Sequence, residues 1–410
     1  PAEEREKLRI RLRDVVGRLV ELAAHRGFYG NLWHDYLALL LVQNENTYSI
    51  AAERRGAVDG TVRELAMHDA AFFLKLFDED LKALSNRLQV PELAAILDYH
   101  IDERPVAVYN KRIRDRIVHL ADALGRCAAP DEFLEVLEEF YRDYGVGSFG
   151  LHKAFRVAEG DGIPDAAGEE HARIQPIRGI RHVRLEDLVG YEIAKAKLIE
   201  NTEAFVAGRP ANNCLLYGDA GTGKSSSIKA LANEYFDRGL RIIELYKHQF
   251  RLLNDVIAQL KGRNYRFIIY MDDLSFEDFE TEYKYLKAVI EGGLEKKPDN
   301  VLIYATSNRR HLIRESFNDK KSLSDDDIHK NDTVQEKLSL ASRFGVSIYF
   351  GAPTPQEYQE IVRALAQRAK LDIPEEELVQ GAIRWQMAHG GLSGRTAEQY
   401  INFLQSRGEE

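Results

Sequence analysis

The chain has 410 residues, 44% hydrophobic and 30% charged, so it can bury a sizeable core and divide into two or three globular domains. A net charge of −10 argues against a broad basic surface for nucleic acid, and leaves direct nucleic-acid binding open only for a local stripe. Cys127 and Cys214, the two cysteines, form no C-x-x-C pair, and the twelve histidines show no H-E-x-x-H spacing, which argues against a disulfide framework and a zinc site.

The N-terminus, Pro1-Ala-Glu-Glu-Arg-Glu-Lys, is charged and lacks the apolar core of a signal peptide. It begins without Met, so further native sequence is expected upstream. The longest apolar run nearby, Tyr36-Leu-Ala-Leu-Leu-Leu-Val42, is too short to span a bilayer, and a cytoplasmic protein without membrane contact is expected. Val62–Leu88, Val106–Leu124 and Pro130–Tyr144 place apolar residues at three- and four-residue spacing, which predicts a helical domain. Pro130-Asp-Glu supplies a helix start, with proline at the first position and acids in the first turn. The run Lys111-Arg112-Ile-Arg114-Asp-Arg116 reads as the solvated face of an amphipathic helix. Glycine-rich stretches at 145–150, 159–164 and 166–168 read as turns and linker, so the helical domain plus linker is assigned to 1–165.

Beyond about 175, strands and helices alternate, as in a parallel sheet covered on both faces. The predicted strands are Asn213–Tyr217, Arg241–Tyr246, Phe267–Met271, Val301–Ala305 and Val346–Phe350, giving a five-stranded α/β domain over 166–352. Thr354-Pro355-Gln-Glu357 is a capping box with proline at the first helical position, and it opens a helical lid over 353–410.

The stretch Gly218-Asp219-Ala220-Gly221-Thr222-Gly223-Lys224-Ser225 fits G-x-x-x-x-G-K-[ST] between an apolar strand and a helix-forming run that starts at Ser226. Its glycines allow main-chain N–H groups to converge on phosphate oxygens at the positive end of the following helix. Lys224 would reach the β- and γ-phosphates, and the Ser225 hydroxyl would ligate Mg²⁺. Downstream, Phe267-Ile-Ile-Tyr-Met271 ends in Asp272-Asp273. Acids at the carboxyl edge of a buried strand emerge at the ligand crevice, which suits Asp272 for the metal and Asp273 for activating water. Glu277 is a second candidate for that base.

Val301-Leu-Ile-Tyr-Ala-Thr-Ser-Asn308 closes a strand on three polar residues, and with the two motifs above it resembles the AAA+ ATPases. That resemblance implies an AAA+ P-loop core with strand order 5-1-4-3-2, a helical lid and ATP/ADP with Mg²⁺ as cofactors. It gives Asn308 the place of sensor 1. In Leu338-Ser-Leu-Ala-Ser-Arg343-Phe344-Gly345 it makes Arg343 an arginine finger acting in trans, and in Gly390-Gly-Leu-Ser-Gly394-Arg395 it places Arg395 as sensor 2. Leu188-Val189-Gly190-Tyr191 resembles the stretch that packs around adenine, with Tyr358 and Ile361 closing the pocket from the lid. Arg209-Pro-Ala-Asn-Asn213, Asp272-Asp-Leu-Ser-Phe-Glu277, Glu291-Gly-Gly-Leu294 and Ala305–Leu312 look like the hallmarks of one bacterial AAA+ family catalogued as a domain of unknown function. The likeness covers roughly 175–405. Ser342 departs from it, since relatives tend to carry Asp before the finger.

The expected function is Mg-dependent ATP hydrolysis in a homo-oligomer, ring or filament, that remodels or loads a protein or nucleoprotein client. The alternative is a nucleotide-gated interaction module with little or no turnover. Tyr246-Lys-His-Gln-Phe-Arg-Leu-Leu253 lacks the glycine of an unfoldase pore loop, which disfavours peptide threading.

Overall fold

Capping chemistry sets most helix boundaries in the first 151 residues. The computed structural model describes residues 2–100, 109–158, 172–177, 183–276, 282–291, 297–308 and 340–407. The described chain divides into a unit ending at Leu151 and another beginning at His152. The first contains α1 (Ala2–Arg26), α2 (Leu32–Gln43), α3 (Thr47–Arg55), α4 (Thr61–Phe77), α5 (Leu81–Leu88), α6 (Glu92–Ala95), α7 (Lys111–Leu124), α8 (Pro130–Tyr144) and α9 (Gly147–Leu151). Asn31 starts α2 by accepting from the backbone of Trp33 and His34, and Asn46 forms a capping box with Ser49 at α3. α8 carries Pro130 at its start and buries Phe133, Leu134, Leu137, Phe140 and Tyr141. Trp33 Nε1 donates to Leu76 O at 2.8 Å, and His34 Nε2 lies 2.9 Å from Phe77 O, so α2 closes the carboxyl end of α4. Glu138 on α8 accepts from Arg63 at 2.6 Å and from Tyr48 at 3.0 Å, tying α3, α4 and α8 together. The basic run on α7 is only partly solvated: Lys111 and Arg112 are exposed, while Arg114 lies over the Tyr29 and Tyr109 rings and Arg116 over Tyr144.

The second unit holds β1 (Ala154–Ala158), β2 (Arg173–Pro176), α10 (Glu192–Val206), β3 (Cys214–Gly218), α11 (Lys224–Glu234), β4 (Leu240–Glu244), α12 (Leu253–Leu260), β5 (Arg266–Met271), α13 (Tyr283–Glu291), β6 (Val301–Ser307) and β7 (Val346–Phe350). The sheet order is β2-β1-β4-β5-β6-β3-β7. Its five predicted strands lie in the expected order, parallel throughout. The expected strand number is corrected from five to seven among the described residues: β1 adds in parallel to β4, and β2 pairs antiparallel with β1. The expected boundary at 165/166 moves with it to Leu151/His152. Ala154-Phe-Arg-Val alternates, with Phe155 and Val157 buried and Arg156 exposed, but the strand is short and sits beside glycine-rich stretches, so it reads locally as linker.

One face of the sheet packs Cys214, Leu216, Ile268, Tyr270, Leu302, Tyr304, Ile348 and Phe350 with residues of α10 and α11. All seven residues of β6 are buried, as a central parallel strand requires. Following the sheet, α14 (Pro355–Arg368), α15 (Glu375–Ala388) and α16 (Gly394–Arg407) form the lid around a core of Tyr358, Val362, Leu378, Ala382 and Tyr400. Gly381 lies inside α15 because any Cβ there would meet the Tyr400 hydroxyl at 2.0 Å. Among the described residues, no helix is long and apolar enough to cross a membrane.

Candidate nucleotide-binding site

The loop between β3 and α11 is shaped by its glycines. Gly218 stands at φ +136°, where a Cβ would lie 2.1 Å from Phe350 O, and Asp219 N donates to that carbonyl at 3.0 Å. The loop therefore leans directly on the end of β7. Gly223, at φ +87°, precedes α11 with no side-chain cap, leaving the first N–H groups of that helix facing the loop. Lys224 Nζ donates to the carbonyls of Gly218 at 3.0 Å and Asp219 at 2.6 Å. Burial lowers the Lys224 ammonium from its ordinary pKa, opposed by the charges of Asp219, Asp273 and Asp272.

The carboxyl edge of β5 meets this loop. Ser225 Oγ donates to Asp272 Oδ1 at 2.6 Å, and Thr306 Oγ1 on β6 donates to the same oxygen at 2.6 Å. Burial alone would raise the Asp272 carboxyl, but bonds from Ser225 and Thr306, with Tyr270 and Lys229 nearby, hold it below its usual value. Asp273 N donates to Thr306 Oγ1 at 3.0 Å, and Asn308 Nδ2 donates to Asp273 Oδ1 at 2.8 Å. A carboxylate and a hydroxyl, both hard oxygen donors, suit Mg²⁺, which takes few protein ligands and the rest from phosphate and water.

A cleft of about 640 Å³ unites these groups between sheet and lid. Residues Ala220 to Ser226, Asp272, Asp273 and Asn308 line its polar part. Arg395 enters from α16, where its backbone N donates to Gly221 O at 3.3 Å. Val189, Tyr191 and Ile361 line the other end, with Leu188, Phe350 and Leu365. The Tyr191 ring lies 5.5 Å from that of Phe350, and burial, with Glu357 and Asp219 nearby, pushes its phenol up to about 12.

Some expected members lie elsewhere. Tyr358 does not close the pocket: it is fully buried in the lid's own core, and Ile361 and Leu365, further along α14, reach the cleft instead. Gly190 and Gly218 do not line the cleft, and the Asp219 carboxylate turns away to accept from Ala352 N at 2.8 Å. Arg343 is half-buried in the turn before β7 and is not part of this wall. Glu277 and the hallmark segments at 292–294 and 309–312 fall outside the described residues.

Several cleft residues escaped the sequence reading, among them Lys195, Arg368 and Thr306. Lys195 Nζ donates to Leu188 O at 2.6 Å. Arg368, at the end of α14, donates to Glu186 O at 2.6 Å and Asp187 O at 2.7 Å. Thr306 links the two acids. The polar end of β6 hinted at Thr306, whereas nothing local marks Lys195 or Arg368.

Residues 165–408, more than half of the chain, match the family described as "Protein of unknown function (DUF815)". The replication factor C large subunit of Thermofilum pendens is 26% identical over 237 residues, covering 54% of each chain. That of Staphylothermus marinus is 39% identical over 85 residues, 20% of this chain and 19% of the relative. The chain thus spans about half, or less, of the length of these relatives. Among solved structures, the Thermotoga maritima RuvB Holliday junction branch migration motor aligns with a TM-score of 0.39 and 15% identity, over 55% of this chain and 65% of that one. With a phosphate loop, a paired acidic strand end and AAA+ strand order in one α/β unit, the chain belongs to the DUF815 family and is an AAA+ protein.

Proposed function

We propose that the cleft binds Mg·ATP and hydrolyses it, and that the chain acts as an AAA+ ATPase on a macromolecular client. The observation that carries this reading is the 2.6 Å bond from Ser225 to Asp272, which joins the phosphate loop to the acidic strand end. Main-chain N–H groups of 220–225 and the Lys224 ammonium cradle the β- and γ-phosphates. Ser225 and Asp272 would hold Mg²⁺, which would supply charge neutralisation for the transferred phosphoryl group. Asp273 orients and deprotonates the attacking water, Asn308 aligns it, and Arg395 contacts the γ-phosphate from the lid. Arg343, outside its own cleft wall, serves the site of a neighbouring copy in a ring or filament, where each interface repeats the same contact. Similarity to replication factor C supports a client within nucleic-acid machinery.

A slowly hydrolysing, nucleotide-gated interaction module is the second reading, favoured by the direct Asn308–Asp273 bond, which occupies the acid that would activate water. Phosphate release measured against protein concentration separates the two. An oligomeric enzyme gains specific activity as copies associate. A switch stays at background at every concentration, and that result, with nucleotide bound, would replace the first reading.

A further inference from the structure

Thr306 is a buried polar residue at a strand position where valine or isoleucine would fit the sheet equally well. A buried hydroxyl is costly unless it is bonded. This one has a single donor and two acceptor lone pairs. The donor goes to Asp272 Oδ1 at 2.6 Å, and the oxygen accepts from Asp273 N at 3.0 Å. One side chain on β6 thus fixes the carboxylate of one acid and the backbone of the next. Between them the chain turns into the left-handed region, Asp273 standing at φ +49°. That turn sends the two carboxylates to different partners, Asp272 to Ser225 and Asp273 to Asn308. Leu274 N donates to Thr306 O at 2.7 Å, so the turn is held from the same residue on its far side.

We propose that Thr306 is a positioning residue: its hydroxyl sets Asp272 for the cation and holds Asp273 apart from it. This role rests on the nucleotide reading of the site. A polar partner one step behind a metal ligand is worth about 10- to 100-fold in metal affinity or activity.

The test compares Thr306→Val, which keeps the branched shape, with Thr306→Ser, which keeps the hydroxyl. Each protein is titrated with Mg²⁺ while phosphate release is followed; nucleotide affinity is measured separately in EDTA, and Mn²⁺ affinity by paramagnetic resonance. For Thr306→Val the cation concentration for half-maximal turnover and the Mn²⁺ dissociation constant should both rise by about 10- to 100-fold. Nucleotide affinity in EDTA should stay at the wild-type value, and Thr306→Ser should restore the cation response. Should Thr306→Val fail to fold, Thr306→Ala is read by the same two titrations. An unchanged Mn²⁺ constant in a folded hydroxyl-free variant overturns the proposal and leaves the nucleotide site standing. Wild-type protein that binds no nucleotide overturns the site reading, and this role falls with it.

Discussion

Asn308 Nδ2 donates to Asp273 Oδ1 at 2.8 Å, and Asp273 holds that position at a left-handed φ of +49°. A non-glycine residue in that region costs roughly 1–2 kcal/mol, so its neighbours must keep it there. Thr306 on the backbone and Asn308 on the side chain supply the restraint.

Asp273→Asn is therefore expected to keep ATP bound while turnover falls by about 10²–10⁴-fold, the usual worth of a positioned general base. Asparagine tolerates positive φ, so the turn should survive. Calorimetric binding beside steady-state phosphate release checks both halves. Undiminished hydrolysis would pass the role to Glu277.

Lys224→Ala should abolish measurable nucleotide binding. Hydrogen bonds to charged groups are worth about 1.5–3 kcal/mol each, and losing two of them weakens affinity by more than ~100-fold. Fluorescent-nucleotide anisotropy reads this directly, and retained affinity would contradict the phosphate assignment.

Arg343→Ala should bind nucleotide normally and lose about 10³-fold or more in rate. Mixing it with Lys224→Ala subunits should recover part of the activity, because some sites then combine an intact loop with a neighbour's Arg343. No recovery at any mixing ratio would count against action in trans.

In the helical unit, Glu138→Ala removes the carboxylate shared by Arg63 and Tyr48. Breaking a fully buried pair costs about 3–5 kcal/mol, and the loss here should fall below that range because Arg63 is partly exposed and keeps Asp131 at 3.4 Å. Urea denaturation followed by circular dichroism checks it. A loss below about 1 kcal/mol would place the triad among ordinary surface pairs.

Asp35 is buried on α2, and burial, reinforced by the charge of Asp122, raises its pKa to about 7. A carboxyl raised in the folded state adds stability that is fully present below its unfolded pKa of 3.8 and is lost as pH climbs toward 7. The helical unit should thus be less stable at pH 8 than at pH 5.5 by this group's contribution. Asp35→Asn should flatten that slope in thermal melts across the range, and an unchanged slope would assign it to another group.

The phosphate loop and the β5 acids were legible because each is contiguous: glycine spacing and an apolar run ending in acids carry their meaning without the rest of the chain. The order of the main strands followed from the family resemblance those motifs support. β1 was not legible, since a short strand gains its identity only by pairing with β4, far along the sequence. Tyr358 was misplaced for a related reason. Helical spacing groups it with Ile361, and both join the lid core, but only the packing of α14 on α15 and α16 decides that Ile361 alone of the two also reaches the cleft. Lys195 and Arg368 bond to carbonyls, and carbonyls have no letter in a sequence.

That last point bears on how the lid is fastened. Arg368 grips the main chain at Glu186 and Asp187, and its guanidinium also lies 3.6 Å from the Asp187 carboxylate. A change of either side chain leaves the two main-chain bonds available, whereas a change at the guanidinium releases both together with the ion pair. Part of the lid's hold on the segment before α10 thus comes from one side chain, at the far end of a helix remote from the recognisable motifs.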